Sequence, residues 1–265
     1  MVDLFVFILA CVFIGIGSGF LGGLLGIGGG VVIVPALLLI YAQTGLVAPA
    51  QAPFVAVATS LSCIVFTSAS AACSQYRAGR IEWPIIPRFL PALLAGAWLA
   101  GYLGPYIPVD LFRIGFAAFI TLVGIIMVCA WQPQPRAQLP GLPMSSVLGG
   151  GAGIGAGLAG IAGGNIIVPL LTALSVPAHR ATATASAMGV PIAALSAVSY
   201  FVNAPEHTIP YLIGWIDRRA LLPIIAAAVI TAPLGVRFAQ KVPAQRLKRI
   251  FGGLLLMVAV RLLLD

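Results

Sequence analysis

Residues 19–38 read GFLGGLLGIGGGVVIVPALL, and residues 153–172 read GIGAGLAGIAGGNIIVPLLT. Laid over each other without a gap, Gly19 matches Gly153, Gly23 matches Gly157 and Gly26 matches Gly160. Gly29 then matches Gly163, Gly30 matches Gly164 and Pro35 matches Pro169. A glycine-rich composition can align a few glycines by chance. It does not keep one register in distant blocks as well. IPVDLFRIGF at 107–116 aligns with VPAQRLKRIF at 242–251, and Gly79–Glu82 aligns with Gly214–Asp217 at nearly the same offset. The chain is read as an internal duplication.

The solvent of this duplicated unit follows from its charge. Of the 265 residues 61% are apolar and only 8% are charged, against about 25% charged in a soluble domain. No Asp, Glu, Lys or Arg occurs in 4–76, 137–178, 181–205 or 220–236. A spanning helix needs roughly 20 mainly apolar residues, so the first two of these runs can each hold more than one span. The chain therefore reads as an all-α, multi-pass membrane protein with membrane lipid around it. The net charge of +8 is spread over short loops. It forms no patch with interleaved aromatics, so no nucleic-acid partner is expected. It fits retention of Arg and Lys on the cytoplasmic side instead.

The apolar runs predict helices over 4–25, 29–43, 51–76, 84–104, 109–131, 143–161, 164–176, 180–202, 219–239 and 245–264. That is about 8–10 membrane helices or half-helices. The runs 29–43 and 164–176 are too short to cross a bilayer at 1.5 Å per residue. Asp3 stands where a signal peptide would carry positive charge, so 4–25 is expected to be a retained first helix. The prolines in 132–142 mark a linker between a first repeat, 1–131, and a second repeat, 143–265. If each repeat has an odd number of crossings, Arg77, Arg80 and Arg88 share a side with Arg180, Lys241, Arg246, Lys248 and Arg249. An even number divides the basic residues about equally. The positive-inside rule therefore favours inverted repeats.

The chemistry is expected at the two Gly-rich junctions. Gly28, Gly29 and Gly30 in the first repeat, and Gly163 and Gly164 followed by Asn165 in the second, are poor helix material. Breaks at matching positions suggest discontinuous helices. The N-termini so created offer unpaired N–H groups and a positive dipole end to an anion. The upstream glycines have the spacing of close helix packing instead. Thr59 and Ser60 in one run, and Thr184 and Ser186 in its counterpart, are candidate neutral donors facing the breaks. A hydroxyl bonded back to its own helix is the plainer alternative. Asp110, Glu82 and Asp217 are expected at membrane edges, which argues against a carboxylate proton relay inside a span. The four cysteines show no metal-ligand spacing, and no cofactor is expected.

At these blocks the sequence resembles the TauE/SafE, or sulfite exporter, family of membrane permeases. GIGGGVVIVPALL, GIAGGNIIVPLL, the ATSL and ATAS segments, GRIEW and GWIDR are the residues that match. The resemblance implies a secondary transporter of small anions, chiefly sulfur-containing ones such as sulfite, thiosulfate or a sulfoacetate-like sulfonate. It further implies proton or gradient coupling, alternating access and no enzymatic activity. No phosphate-binding G-x-x-x-x-G-K-[ST] motif is present. One departure is Ala185, which stands where the first repeat has Ser60. A non-transporting assembly subunit is the alternative, and duplication argues against it. An intramembrane serine hydrolase would need His179 or His207, both expected at membrane edges. The inner membrane is the expected location, and a homo-oligomer stays open.

Overall fold

The computed structural model describes residues 4–129, 141–161, 163–204 and 211–239, together with 249, 252–253, 255–257 and 259–260. Most of the linker expected at 132–142, and Lys241, Arg246 and Lys248, lie outside the described residues. The first half holds α1 (Leu4–Leu25), α2 (Gly30–Thr44), α3 (Ala52–Arg77), α4 (Ile86–Leu103) and α5 (Val109–Val128). The second holds α6 (Leu142–Leu158), α7 (Gly164–Ala173), α8 (Ala178–Val202) and α9 (Arg218–Phe238). The described residues from 249 to 260 are helical as well. Among the described residues six helices are long and apolar enough to cross a membrane, while α2 and α7 are short. The chain is an all-α membrane protein.

Two local differences from the expected elements have physical causes. The helix expected over 164–176 ends at Ala173, because Ser175 turns to a φ of 65° and the Val176 N–H closes onto the Leu171 carbonyl at 3.0 Å. A small hairpin, β1 (Leu212–Ile213) with β2 (Ile216–Asp217), interrupts the loop before α9. Gly214, at φ 60°, takes the first central position of its two-residue turn, where glycine is favoured.

The halves are interleaved. Gly15, Gly19 and Gly23 of α1 rest on Ile224, Ala228 and Ala232 of α9, so these two helices run parallel and nearly touch along their backbones. Correspondingly, Gly149, Gly153 and Gly157 of α6 rest on Phe89, Leu93 and Ala97 of α4, also in parallel. Lipid tails are as apolar as leucine, so van der Waals contact at such small-residue faces supplies the attraction between helices. Side-chain hydroxyls add rungs. Ser70 of α3 donates to the Val229 carbonyl of α9 at 2.9 Å, and Ser199 of α8 donates to the Trp98 carbonyl of α4 at 2.8 Å.

Directions follow from these rungs. α1, α3 and α9 run one way, since Cys63 and Ser70 of α3 meet Leu221 and Val229 of α9 in order; α4, α6 and α8 run together, since Ser196 and Ser199 of α8 meet Ala97 and Trp98 of α4. The hairpin that follows α8 lies against the end of that helix, where Gly214 meets Phe201, and its Asp217 reaches Thr59 near the start of α3. At the other end, Trp83 beyond the end of α3 packs on Tyr76 at 6.1 Å, and Glu82 reaches Thr184 near the start of α8. α3 and α8 are therefore antiparallel.

Candidate functional site

Each break is built the same way. α1 ends when Gly26 turns to a φ of 70° and returns its N–H to the Gly22 carbonyl at 2.9 Å. α6 ends when Gly160 turns to 66° and the Ile161 N–H reaches back to the Ala156 carbonyl at 3.0 Å. Both are glycine C-caps in the left-handed region. A few residues on, Gly29 (φ 85°) and Gly163 (φ 72°) occupy the N-cap positions of α2 and α7. No side chain caps either helix. The first N–H groups of each have no carbonyl within their own helix to take them.

The breaks meet. A Cβ at Gly30 would fall on the Gly160 carbonyl oxygen and lie 3.0 Å from the Ile161 Cα. A Cβ at Gly164 would fall on the Gly26 carbonyl oxygen and lie 2.6 Å from the Ile27 Cα. The contact is reciprocal, since Gly30 matches Gly164 and Gly26 matches Gly160. The helices behind it repeat the pattern. Gly26 rests on Thr182 of α8, and Gly160 rests on Val57 of α3.

The remaining candidate residues take different places. Asn165 is the second residue of α7, and its side-chain Nδ2 is buried with no hydrogen-bond partner among the described residues. Pro169 has no N–H for the carbonyl of Asn165 one turn back, and Pro35 leaves the Val31 carbonyl in the same position. Ser60 is fully buried and donates to the Gly160 carbonyl at 2.8 Å, so it touches the opposite break. Ala185 has no hydroxyl to match it. Elsewhere in the first break, the Gly28 carbonyl accepts from Thr67 of α3 at 3.0 Å. Ser186 donates to the Thr182 carbonyl of its own helix at 3.0 Å.

Thr59 and Thr184 do not contact the breaks through these bonds. Each fully buried hydroxyl accepts a backbone N–H from the other half, Thr59 from Asp217 and Thr184 from Glu82, both at 2.9 Å. They latch the segments aligned as Gly214–Asp217 and Gly79–Glu82. The two carboxylates then differ. Glu82 is partly exposed and pairs with Arg180. Asp217, expected at a membrane edge, is indeed the residue before α9 but is 0% exposed. Its burial was not anticipated from the sequence, because it depends on the hairpin folding back against α3. Asp217 accepts from the Arg219 backbone at 2.9 Å, from the guanidinium at 3.1 and 3.0 Å, and from the Tyr41 hydroxyl at 3.3 Å. A sequence signal was available: the two aligned segments carry an acid at one register, next to Trp83 in one and two residues after Trp215 in the other.

A cavity of about 350 Å³ lies between α2 and α5, bordered by Leu38, Tyr41, Phe112, Arg113 and Phe116. None of the break residues lines it. Among the described residues no group of His, Cys, Asp and Glu is placed to hold a metal ion.

With the geometry of the paired breaks in view, the sequence was compared with known proteins. Residues 11–262 match the family described as Sulfite exporter TauE/SafE. The chain belongs to this family. A "Probable membrane transporter protein" of Haemophilus influenzae is 30% identical over 98% of this chain and 100% of its own length. The "Probable membrane transporter protein YunE" of Bacillus subtilis is 25% identical over 96% of each chain. A probable membrane transporter protein of Methanocaldococcus jannaschii is 24% identical, covering 96% of this chain and 94% of its own. No solved structure gives a significant match. The chain is a multi-pass membrane transporter of the TauE/SafE family, and not an enzyme.

Proposed function

We propose that this transporter is a secondary permease for small anions, sulfur-containing oxyanions and sulfonates first among them, working by alternating access between two inverted repeats. The repeats are 1–131 and 143–265, joined by the linker 132–142, and the location is the inner membrane. The observation that carries the reading is the reciprocal meeting of the two glycine breaks. Two helix N-termini, α2 and α7, start at that junction, each with the positive end of a dipole and first N–H groups that no carbonyl of the same helix can take. The Nδ2 of Asn165 adds a buried donor without a partner. No acidic side chain hydrogen-bonds to the break residues among the described residues, so an anion meets donors there and no competing charge. Gly28, Gly29, Gly30, Gly163, Gly164 and Asn165 would line the site, and Ser60 with Thr59, Thr184 and Ser186 would support it from α3 and α8.

Inversion of the repeats is supported by helix direction. Matching helices α3 and α8 are antiparallel, as are α1 and α6, and α4 and α9. Two elements of opposite sense that share a junction can rock about it, exposing the junction to each side in turn. The family name and the chemistry of oxyanions support sulfite, thiosulfate or a sulfoacetate-like sulfonate as cargo. A proton or ion gradient would drive it.

Purified protein in proteoliposomes tests this. Labelled sulfite, thiosulfate, a sulfonate and a small carboxylate are offered with and without a pH gradient. Saturable flux of a sulfur anion, competed by its analogues, is the expected result. Absence of flux for every anion would return the assembly-subunit reading.

A further inference from the structure

The duplication supplies an internal control for Asp217. Glu82 and Asp217 stand at one register, and each donates its backbone N–H to the matching threonine of the other half. The latch works at Glu82 with a side chain 27% exposed and an Arg180 side chain 47% exposed. A buried carboxylate is therefore not required for latching. Nor is a charge required for helix capping, since Asn caps a helix start as well as Asp does. Yet Asp217 is 0% exposed, and it is the charged residue among the fully buried polar ones described. Burying an ion pair costs more desolvation than a neutral pair would.

We propose that Asp217 is the residue that takes up and releases the coupled proton of this transporter. The inference rests on the transport reading above and names its coupling site. The carboxylate accepts one proton from solution on one side of the membrane and becomes a neutral acid. The Arg219 guanidinium stays positive and loses its counter-charge. On the other side the acid gives that proton to solution, and the ion pair re-forms. One proton crosses per cycle, with no other co-reactant.

The groups around the carboxylate are the ones its protonation would release. Facing the carboxylate are Cys11 from α1, Tyr41 from α2 and Arg219 from α9, while α3 contributes the uncharged Thr59 hydroxyl. Arg219 lies over the rings of Phe7 at 5.6 Å and Tyr211 at 4.7 Å. Its side chain is 16% exposed, so it forms the cover between the carboxylate and the outside. Tyr41, which donates to the carboxylate, borders the cavity between α2 and α5. Two links lead from Asp217 to the breaks. Its side chain holds Tyr41 near the end of α2, a helix of 15 residues whose first residue is Gly30. Its backbone holds Thr59, and the next residue, Ser60, holds the Gly160 carbonyl. Loss of the charge at Asp217 loosens the hold on α2 and thereby acts on the junction where its N-terminus lies.

The test compares wild type, Asp217→Asn and Glu82→Gln in proteoliposomes loaded with labelled sulfite, membrane potential clamped. A gradient of about one pH unit supports about tenfold accumulation when one proton accompanies each substrate. Wild type and Glu82→Gln are expected to accumulate sulfite in this way. Asp217→Asn is expected to lose accumulation while keeping sulfite–sulfite exchange at equal pH. Accumulation by Asp217→Asn at the wild-type level would overturn the proposal. If Asp217→Asn loses exchange as well, Tyr41→Phe decides. It removes one hydrogen bond to the carboxylate, so the pH profile of uptake should change, and an unchanged profile would overturn the proposal. If wild type moves no sulfite, the transport reading is at fault, and infrared difference spectra between neutral and acidic buffer separate the two. A protonated-carboxyl band present in wild type and absent from Asp217→Asn supports the assignment of Asp217. Identical spectra refute it.

Discussion

Gly30→Ala adds one methyl group at the point where the two breaks touch. A Cβ there falls on the Gly160 carbonyl oxygen, 2.6 Å from the Ile64 Cδ1 and 3.0 Å from the Ile161 Cα. Two of these three neighbours are backbone atoms, so a rotamer change cannot relieve the clash. Overpacking of this kind costs about 1–3 kcal/mol. The control is Gly17→Ala in α1, where a Cβ meets nothing within 4 Å. There the same substitution should gain up to about 1 kcal/mol from helix propensity. Gly164→Ala should cost as much as Gly30→Ala, because its Cβ falls on the Gly26 carbonyl oxygen. The pair should not be additive. Once one methyl has pushed the breaks apart, the second meets less resistance, and the coupling should be about 0.5–3 kcal/mol. Stability in detergent or bilayer, measured by steric trapping or thermal unfolding, reads all four variants. Equal stability of Gly30→Ala and Gly17→Ala, or strict additivity of Gly30→Ala with Gly164→Ala, would refute backbone contact between the breaks.

Three further expectations follow from the same geometry. Thr59→Val leaves the Asp217 N–H buried without its acceptor and should cost about 1–3 kcal/mol in the same unfolding assay; a neutral result would remove the latch. Arg180→Ala breaks an ion pair whose partners are 47% and 27% exposed, and should cost less than about 1 kcal/mol and be insensitive to added salt once made; a larger loss in thermal stability would mean that Glu82 is sealed like Asp217. Asn165→Ala should preserve expression and reduce sulfite uptake in proteoliposomes, and unchanged uptake kinetics would exclude that amide from the substrate site.

The fold was legible where hydropathy and glycine carry local information. Charge-free runs placed nearly all helices within a few residues, and doubled glycine and proline positions marked the starts of α2 and α7. What could not be read was long-range. Nothing in the spacing of Gly26 and Gly164 announces that one carbonyl will lie under the other residue's missing side chain. Thr59 and Thr184 were visible as polar positions in apolar helices, but their partners are more than a hundred residues away in sequence. The burial of Asp217 was hidden for the same reason. An acid beside two arginines has the local pattern of a membrane edge, and its burial arises only from a hairpin that returns to α3. Ser186 took the ordinary local option, a bond to its own helix.

The most direct measurement concerns sidedness of the two repeats in the membrane. Ala78 and Ile213 stand at one register of the duplication, and both are exposed. With the four native cysteines replaced, Ala78→Cys and Ile213→Cys are each labelled in intact cells with a membrane-impermeant thiol reagent and then again after permeabilisation. Inverted repeats meeting at their glycine breaks predict that one position reacts in intact cells and the other only after permeabilisation. Labelling of both positions from the same face would contradict them.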